Sequence, residues 1–185
     1  MSKFIIVSTE ERALREKEKF EGTFLDYLEI VKQNPDIAKL AHKRLYDFIM
    51  SKGVEVLKGD EHPRIRKIYG NETIREYGYF KDDFFGIDKV LMKLVNYLHS
   101  ASMKGEEARQ VLYLVGPVGA GKSSLVEALK LALVSCEPIY SIKGCPMHEE
   151  PLHLVPNHLR GKFNEMLGTQ IEGDLCPVCK LYLIH

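Results

Sequence analysis

The segment from Gly116 to Ser123 constrains the fold of this chain more than any other feature. Its letters, GPVGAGKS, match the phosphate-binding pattern G-x-x-x-x-G-K-[ST]. Residues 111–115 just before it are a short apolar run, which is typical of a buried parallel strand. Residues 122–134 after it contain strong helix formers and neither glycine nor proline. This order predicts a strand, then a loop that holds phosphate groups, then a helix.

The glycine, lysine and serine positions of this loop each have a chemical role. The glycines allow backbone conformations that bring main-chain N–H groups close to an anion. Lys122 would reach the β- and γ-phosphates of ATP, and the Ser123 hydroxyl would be a ligand of Mg²⁺. We therefore predict an α/β P-loop NTPase fold with a parallel sheet. The predicted phosphate-binding residues are Gly116, Pro117, Val118, Gly119, Ala120, Gly121, Lys122, Ser123 and Ser124.

Apolar periodicity and glycine or proline breakers divide the chain into three predicted parts. Residues 1–53 are predicted as a helical N-terminal appendage, with one helix to about Gln33 and a second after Asn34. Residues 54–80 are predicted as a linker with one or two short strands. Residues 81–185 are predicted as a partial ATPase domain with an incomplete sheet and a Cys/His-rich C-terminal segment.

The predicted ATPase part has a recognisable order of elements. An apolar stripe predicts an amphipathic helix over residues 87–98. After the helix over residues 122–134, residues 138–142 are predicted as a second strand, and a short helix is expected near residues 157–167.

Charge and composition exclude several functions. The formal net charge is +0 at pH 7, so no overall basic field favours nucleic acid. The apolar run near the N-terminus is too short for a signal peptide, and no stretch is long enough to span a membrane. Four cysteines without an export signal favour the reducing cytoplasm.

A second constellation lies in the C-terminal third. Cys176-x-x-Cys179 has the spacing of a metal knuckle, and Cys145-x-x-His148 would complete a Cys₃His zinc set, with His153 as an alternative to His148. Two other interpretations stay open. The CxxC is a redox pair, or the cysteines are buried small residues.

We predict no catalytic role for the acidic residues of the same segment. His148 to His153 does not match the H-E-x-x-H pattern of metalloproteases, because the second histidine is one place too late and Pro151 interrupts a helix. We therefore expect a polar loop near the nucleotide in which Glu149 or Glu150 is solvated. No catalytic residue is predicted.

Four stretches carry a family resemblance. They are Phe84-Phe85-Gly86, Leu112 to Ser124 (LYLVGPVGAGKSS), Ile142 to Pro156 (IKGCPMHEEPLHLVP) and Glu172 to Cys179 (EGDLCPVC). Together they resemble the N-terminal part of the bacterial PrkA-type serine protein kinases, which carry an AAA-type ATPase domain. The resemblance covers most of residues 20–185, and the KGCPMHEEPLHL stretch is its most specific part.

The resemblance implies an AAA-type core that binds ATP with Mg²⁺, and a protein kinase role for the full-length protein. It places Phe85 and Gly86 beside the adenine. Expected partners are ATP, a protein substrate of the full-length form and further copies of the chain in a homo-oligomer. Members of this family continue well beyond position 185. Since no acidic Walker B residue or arginine finger follows Ser123 here, we expect an ATP-binding part of a longer protein.

Two alternatives accompany this hypothesis. One is a component of an ATP-driven protein remodeller or protease, or another P-loop kinase. The other is a nucleotide-dependent scaffold whose Cys/His segment is stabilised by zinc.

Overall fold

A computed structural model of the chain describes residues 20–103 and 105–184. The part of the predicted N-terminal appendage before residue 20 lies outside these residues. The chain divides into two compact units, one of Met1–Pro35 with Ser141–His185 and one of Asp36–Tyr140. No helix within the described ranges is long and apolar enough to cross a membrane.

The helices and strands are short and mostly close to their predicted positions. In chain order they are α1 Phe24–Gln33, α2 Ala41–Ser51, β1 Val54–Lys58, α3 Pro63–Tyr69, β2 Thr73–Tyr77, α4 Asp88–Ser102, α5 Lys122–Val134, α6 Arg160–Leu167 and α7 Pro177–Ile184. Short 3₁₀ turns occur at Pro35–Ala38, Glu106–Arg109, Pro151–Leu154 and Asn157–Leu159.

The unit Asp36–Tyr140 has an apolar core around α4. Most of the predicted amphipathic stripe of this helix is confirmed, because Leu91, Leu94, Val95 and Leu98 lie in the core at three- and four-residue spacing. Val90, also predicted in the stripe, is 50% exposed. Helix α2 packs against both α4 and α5. The buried side chains of this core are Leu45, Ile49, Tyr77, Phe80, Phe84, Leu91, Leu94, Val95, Leu98, Leu125 and Ala132.

A buried arginine fixes the ends of the helices in this unit. The Arg44 guanidinium, on α2, donates to the carbonyl oxygens of Lys39 at 2.8 Å and Glu137 at 2.6 Å, and also to that of Ile37. Because an unpaired buried carbonyl is costly, this one side chain satisfies groups before α2 and after α5 together.

Residues 54–80, predicted as a linker with one or two short strands, contain two short strands with a helix between them. Strands β1 and β2 pair antiparallel, with Val54 opposite Tyr77 and Lys58 opposite Thr73. Helix α3 lies between them in the chain, and Leu57, Ile65 and Ile74 form a small buried cluster. The two strands agree with the predicted short strands, and the buried cluster shows that residues of this segment pack together.

The predicted parallel strands do not appear in the described residues. Residues 111–115 and 138–142 have no strand assignment, and the antiparallel pair β1–β2 is the sheet that the described chain contains. Val111 and Tyr113 are 91% and 84% exposed. The physical reason is that a strand exists only with a hydrogen-bonded neighbour, and neither run finds one here.

The other unit combines α1 with the segment after residue 140. The Thr23 hydroxyl and Asp26 carboxylate form a capping box that starts α1. The buried faces of α1 and of the later turns supply Tyr27, Val31, Leu152, Val155, Leu167 and Ile171. The Tyr27 hydroxyl donates to Glu150 at 2.5 Å, which ties α1 to the Pro151–Leu154 turn. Glu150 is therefore paired and half-buried rather than freely solvated.

Candidate functional site

The glycine loop begins where the chain leaves the core and ends at the first turn of α5. Gly119 and Gly121 have φ angles of +84° and +75°, in the left-handed region that favours glycine. Gly121 is the N-cap of α5. The sequence predicts that glycines of this loop adopt backbone conformations that other residues avoid. The positive φ angles at these two glycines agree with that prediction.

Two tyrosines fix the segments on either side of the loop. The Tyr97 hydroxyl of α4 lies 3.0 Å from the carbonyl oxygen of Glu107 and 2.9 Å from that of Gln110, just before the run that leads to the loop. The Tyr79 hydroxyl donates to the carbonyl oxygen of Ala128 in α5 at 2.6 Å. The loop is thus open to solvent while both of its ends are held by the core.

The first turn of α5 presents backbone donors. No described side chain caps this helix, and the Leu125 N–H, which bonds the Gly121 carbonyl at 2.9 Å, is the first of its regular helical hydrogen bonds. The N–H groups of Lys122, Ser123 and Ser124 therefore have no acceptor within the helix. Unpaired donors and the positive end of the helix dipole make such a turn suitable for an anion.

Lys122 already lies over the loop. Its ammonium donates to the carbonyl oxygens of Gly116 at 2.7 Å and Pro117 at 2.6 Å. Val118, between these residues and Gly119, is fully exposed. A full positive charge is therefore held at the open side of a loop that carries backbone donors, which suits a polyphosphate.

The segment that the resemblance places beside adenine begins next to this loop. The Phe84 ring lies 4.0 Å from the position that a Cβ atom on Gly121 would take, and it packs edge-on against Phe80 in the core. Phe85 is 70% exposed, and Gly86 has a φ of +75° with open space around it. Phe84 thus supports the loop from below, while Phe85 and Gly86 stay accessible to a ligand.

The other unit brings three of the four predicted zinc ligands together. The Sγ atoms of Cys145, Cys176 and Cys179 all lie within 4.8 Å of one another, and those of Cys145 and Cys176 are 3.6 Å apart. Cys145 and Cys179 are buried, and Cys176 is half-buried. His148 is exposed, has a φ of +49° and does not belong to this group in the described chain.

A carboxylate and a histidine support the cysteine cluster. Glu149 is only 9% exposed, and its carboxylate accepts the backbone N–H of Cys176. Its other oxygen lies 2.5 Å from His153 Nδ1, and the second ring nitrogen of His153 contacts the carbonyl oxygen of Glu172. The expectation of a solvated Glu149 is therefore wrong. The four-residue spacing of Glu149 and His153 is the sequence signal for this contact. Pro151 between them favoured a loop over the helical turn that usually pairs such residues.

Proximity shifts the acidity of these groups. Burial raises the pKa of the Cys145 thiol, but hydrogen bonds with the backbone of Glu149 and Met147 and with the other thiols outweigh it and lower the pKa. Burial, with hydrogen bonds and charge repulsion from the neighbouring thiols, raises the pKa of Cys179 to about 12. Burial also raises the pKa of Glu149, and the bonds with His153 and Cys176 outweigh it and lower the pKa. The supporting carboxylate is therefore ionised.

One unit thus carries a glycine loop at a helix start, and the other carries a cluster of three cysteines. The chain belongs to the PrkA AAA domain family, whose model matches residues 22–185. This match confirms the resemblance seen in the sequence. No solved structure matches the chain at a significant level.

Three of the similar proteins are much longer than this chain, and their names state different activities. The ATP-dependent protease PrkA of Bacillus subtilis (strain 168) is 41% identical over 166 residues, covering 86% of this chain and 24% of that protein. The serine/threonine kinase YeaG of Escherichia coli (strain K12) is 34% identical over 139 residues, covering 72% and 21%. A Lon protease of Syntrophus aciditrophicus (strain SB) is 30% identical over 104 residues, covering 56% and 13%. The chain thus spans less than a quarter of each relative.

Proposed function

We propose that this chain is the Mg-ATP-binding module of a PrkA-like protein. The family supports an AAA-type module, and the loop from Gly116 to Ser124 supports ATP as its ligand. The observation that carries the proposal is the position of Lys122. Its ammonium lies on the Gly116 and Pro117 carbonyls, at the open side of a loop shaped by left-handed glycines.

The residues present fit a magnesium-bound triphosphate. The N–H groups of the first turn of α5 would bind phosphate oxygens, and Lys122 would exchange its two carbonyl partners for the β- and γ-phosphates. The Ser123 hydroxyl would coordinate the Mg²⁺ ion that bridges these phosphates. Phe85 and Gly86 would contact the adenine from the accessible side of the Phe84 turn. We assign no catalytic residue to this chain.

The test compares two lysines of the same helix. Lys122→Ala removes a charge-assisted contact worth about 1.5–3 kcal/mol, so Mg-ATP should bind roughly tenfold to a hundredfold more weakly. Lys130→Ala is the matched control, because Lys130 is an exposed lysine of α5 whose ammonium pairs with Glu127 at 2.6 Å. Titration calorimetry measures both affinities, and circular dichroism checks that each variant is folded. Equal affinity for Mg-ATP in the wild type and both variants would refute the site.

The activity of the longer protein has two candidates. The kinase interpretation follows the sequence resemblance and the name of the Escherichia coli relative. The protease interpretation follows the name of the Bacillus subtilis relative and the similarity to Lon. Both activities would use ATP bound at this loop, so the proposed module would serve either one. The family match does not separate the two candidates, because relatives with both names match this chain. We place the kinase first on the sequence resemblance.

One assay separates these candidates. The longer protein is incubated with casein and ATP labelled on its γ-phosphate. Transfer of the label to casein supports the kinase, whereas casein fragments that appear only with hydrolysable ATP support the protease. At limiting ATP, the Lys122→Ala variant should strongly reduce whichever activity is found, because both would depend on nucleotide held at this loop.

A further inference from the structure

We propose that Cys145, Cys176 and Cys179 bind one zinc ion, which fastens the start of α7 to the turn that contains Cys145. This site is separate from the phosphate loop and does not depend on nucleotide binding. Three thiolates would fill three of the four positions of a tetrahedral zinc, and a water molecule would fill the fourth. Each thiol would release its proton to solvent as its Zn–S bond forms.

The distances between the sulfurs fit a tetrahedral zinc. Zn–S bonds of about 2.3 Å in a tetrahedron place two sulfurs about 3.8 Å apart. The Sγ atoms of Cys145 and Cys176 are 3.6 Å apart, and all three sulfurs lie within 4.8 Å of one another. The three thiols therefore converge on one point, which the packing of unrelated buried cysteines does not require.

The surroundings of the thiols resemble the supported ligands of a metal site. The Cys179 N–H donates to the Cys176 sulfur at 3.3 Å, and the Glu149 carboxylate accepts the Cys176 N–H. His153 holds Glu149 from the other side at 2.5 Å. A chain of partners that orients the backbone of a ligand is the usual arrangement around a bound metal. Glu149 and His153 are positioning residues here and not ligands.

The location of the cluster explains what the ion would do. Cys176 directly precedes α7, and Cys179 lies in its first turn. This helix has only eight residues, and its Leu181, Tyr182 and Leu183 side chains are exposed. So short a helix is marginal without tertiary contacts. A metal link from Cys145 to Cys176 and Cys179 would supply those contacts in a unit that, as described, has no sheet.

The single cysteine outside the cluster provides a matched control. Cys136 lies in the other unit, and its sulfur contacts the carbonyl oxygens of Ala132 and Arg44. Chain purified under reducing conditions without chelator or added metal should contain about one zinc ion. Cys136→Ser should keep that ion, and Cys176→Ser/Cys179→Ser should lose it. Elemental analysis by mass spectrometry measures the content.

Two further readouts keep the proposal falsifiable if the double variant does not fold. Cobalt added to metal-free wild-type chain should give the thiolate-to-cobalt charge-transfer band, and Glu149→Gln should bind cobalt more weakly than the wild type. Wild-type chain that neither contains zinc nor gives this band would overturn the proposal. A thiol titration of the chain, unfolded without added reductant, should find all four thiols free. Only two free thiols would indicate a disulfide and would also overturn the proposal.

Discussion

The phosphate loop and the cysteine cluster are both candidate ligand sites, yet they are built in opposite ways. The loop offers backbone N–H groups and one lysine on an open surface, where Val118 is fully exposed. The cluster offers three side-chain sulfurs, two of them buried, on a backbone held by Glu149. An open site of backbone donors suits a ligand that enters and leaves. A largely buried site of thiolates suits an ion that stays.

The two sites also depend on different kinds of support. The loop is anchored by the apolar core of its unit through Phe84, Tyr79 and Tyr97. The unit with the cysteine cluster places fewer large apolar side chains in its interior, and its last helix exposes most of its apolar residues. We infer that the first unit would fold around its core and the second around its metal.

The largest expected effect is that of Phe80→Ala, which should weaken the apolar core without disturbing the cysteine cluster. Phe80→Ala removes a ring that is 1% exposed and packs against Tyr79 and Phe84. It should lower the free energy of unfolding by about 3–5 kcal/mol and weaken Mg-ATP binding, because Phe84 supports Gly121. Zinc content should not change. Denaturant unfolding, calorimetry and metal analysis measure the three quantities, and loss of zinc together with ATP binding would break the comparison.

A smaller effect tests whether the loop acts through its backbone. Gly121→Ala places a Cβ atom at a φ of +75°, which costs about 1–2 kcal/mol and pushes the loop out of shape. Mg-ATP affinity should fall about tenfold. Gly53→Ala is the matched control, because Gly53 also has a positive φ, +89°, with no atom within 4 Å of the added Cβ. Both variants should lose similar stability. Calorimetry showing the same ATP affinity in both would contradict the backbone role.

The sequence predicts local features of this chain well. Helix α5 spans the predicted residues 122–134, and α4 buries most of the predicted stripe, since helix periodicity depends on neighbours in sequence. The left-handed glycines of the loop follow from a local motif. The predicted strands over residues 111–115 and 138–142 do not appear, because a strand depends on distant partners that no local pattern reports.

The cysteine cluster shows the same limit at the level of a site. The spacing of Cys176 and Cys179 indicates a knuckle, but the choice of the remaining ligand depends on how a distant turn folds. The structure brings Cys145 to this knuckle and leaves His148 exposed. Glu149 was expected in solvent and is buried beneath Cys176. The contact between Glu149 and Cys176 joins residues 27 positions apart, and residue spacing in the sequence does not predict such a contact.

The most direct test of this account is native mass spectrometry of the full chain and of Lys122→Ala, before and after addition of Mg-ATP. We expect one zinc ion on both proteins in every sample and one nucleotide on the wild type alone. Dialysis should then remove the nucleotide and leave the zinc. A wild-type chain that carries no nucleotide adduct, or one that loses its zinc whenever it loses the nucleotide, would contradict the account.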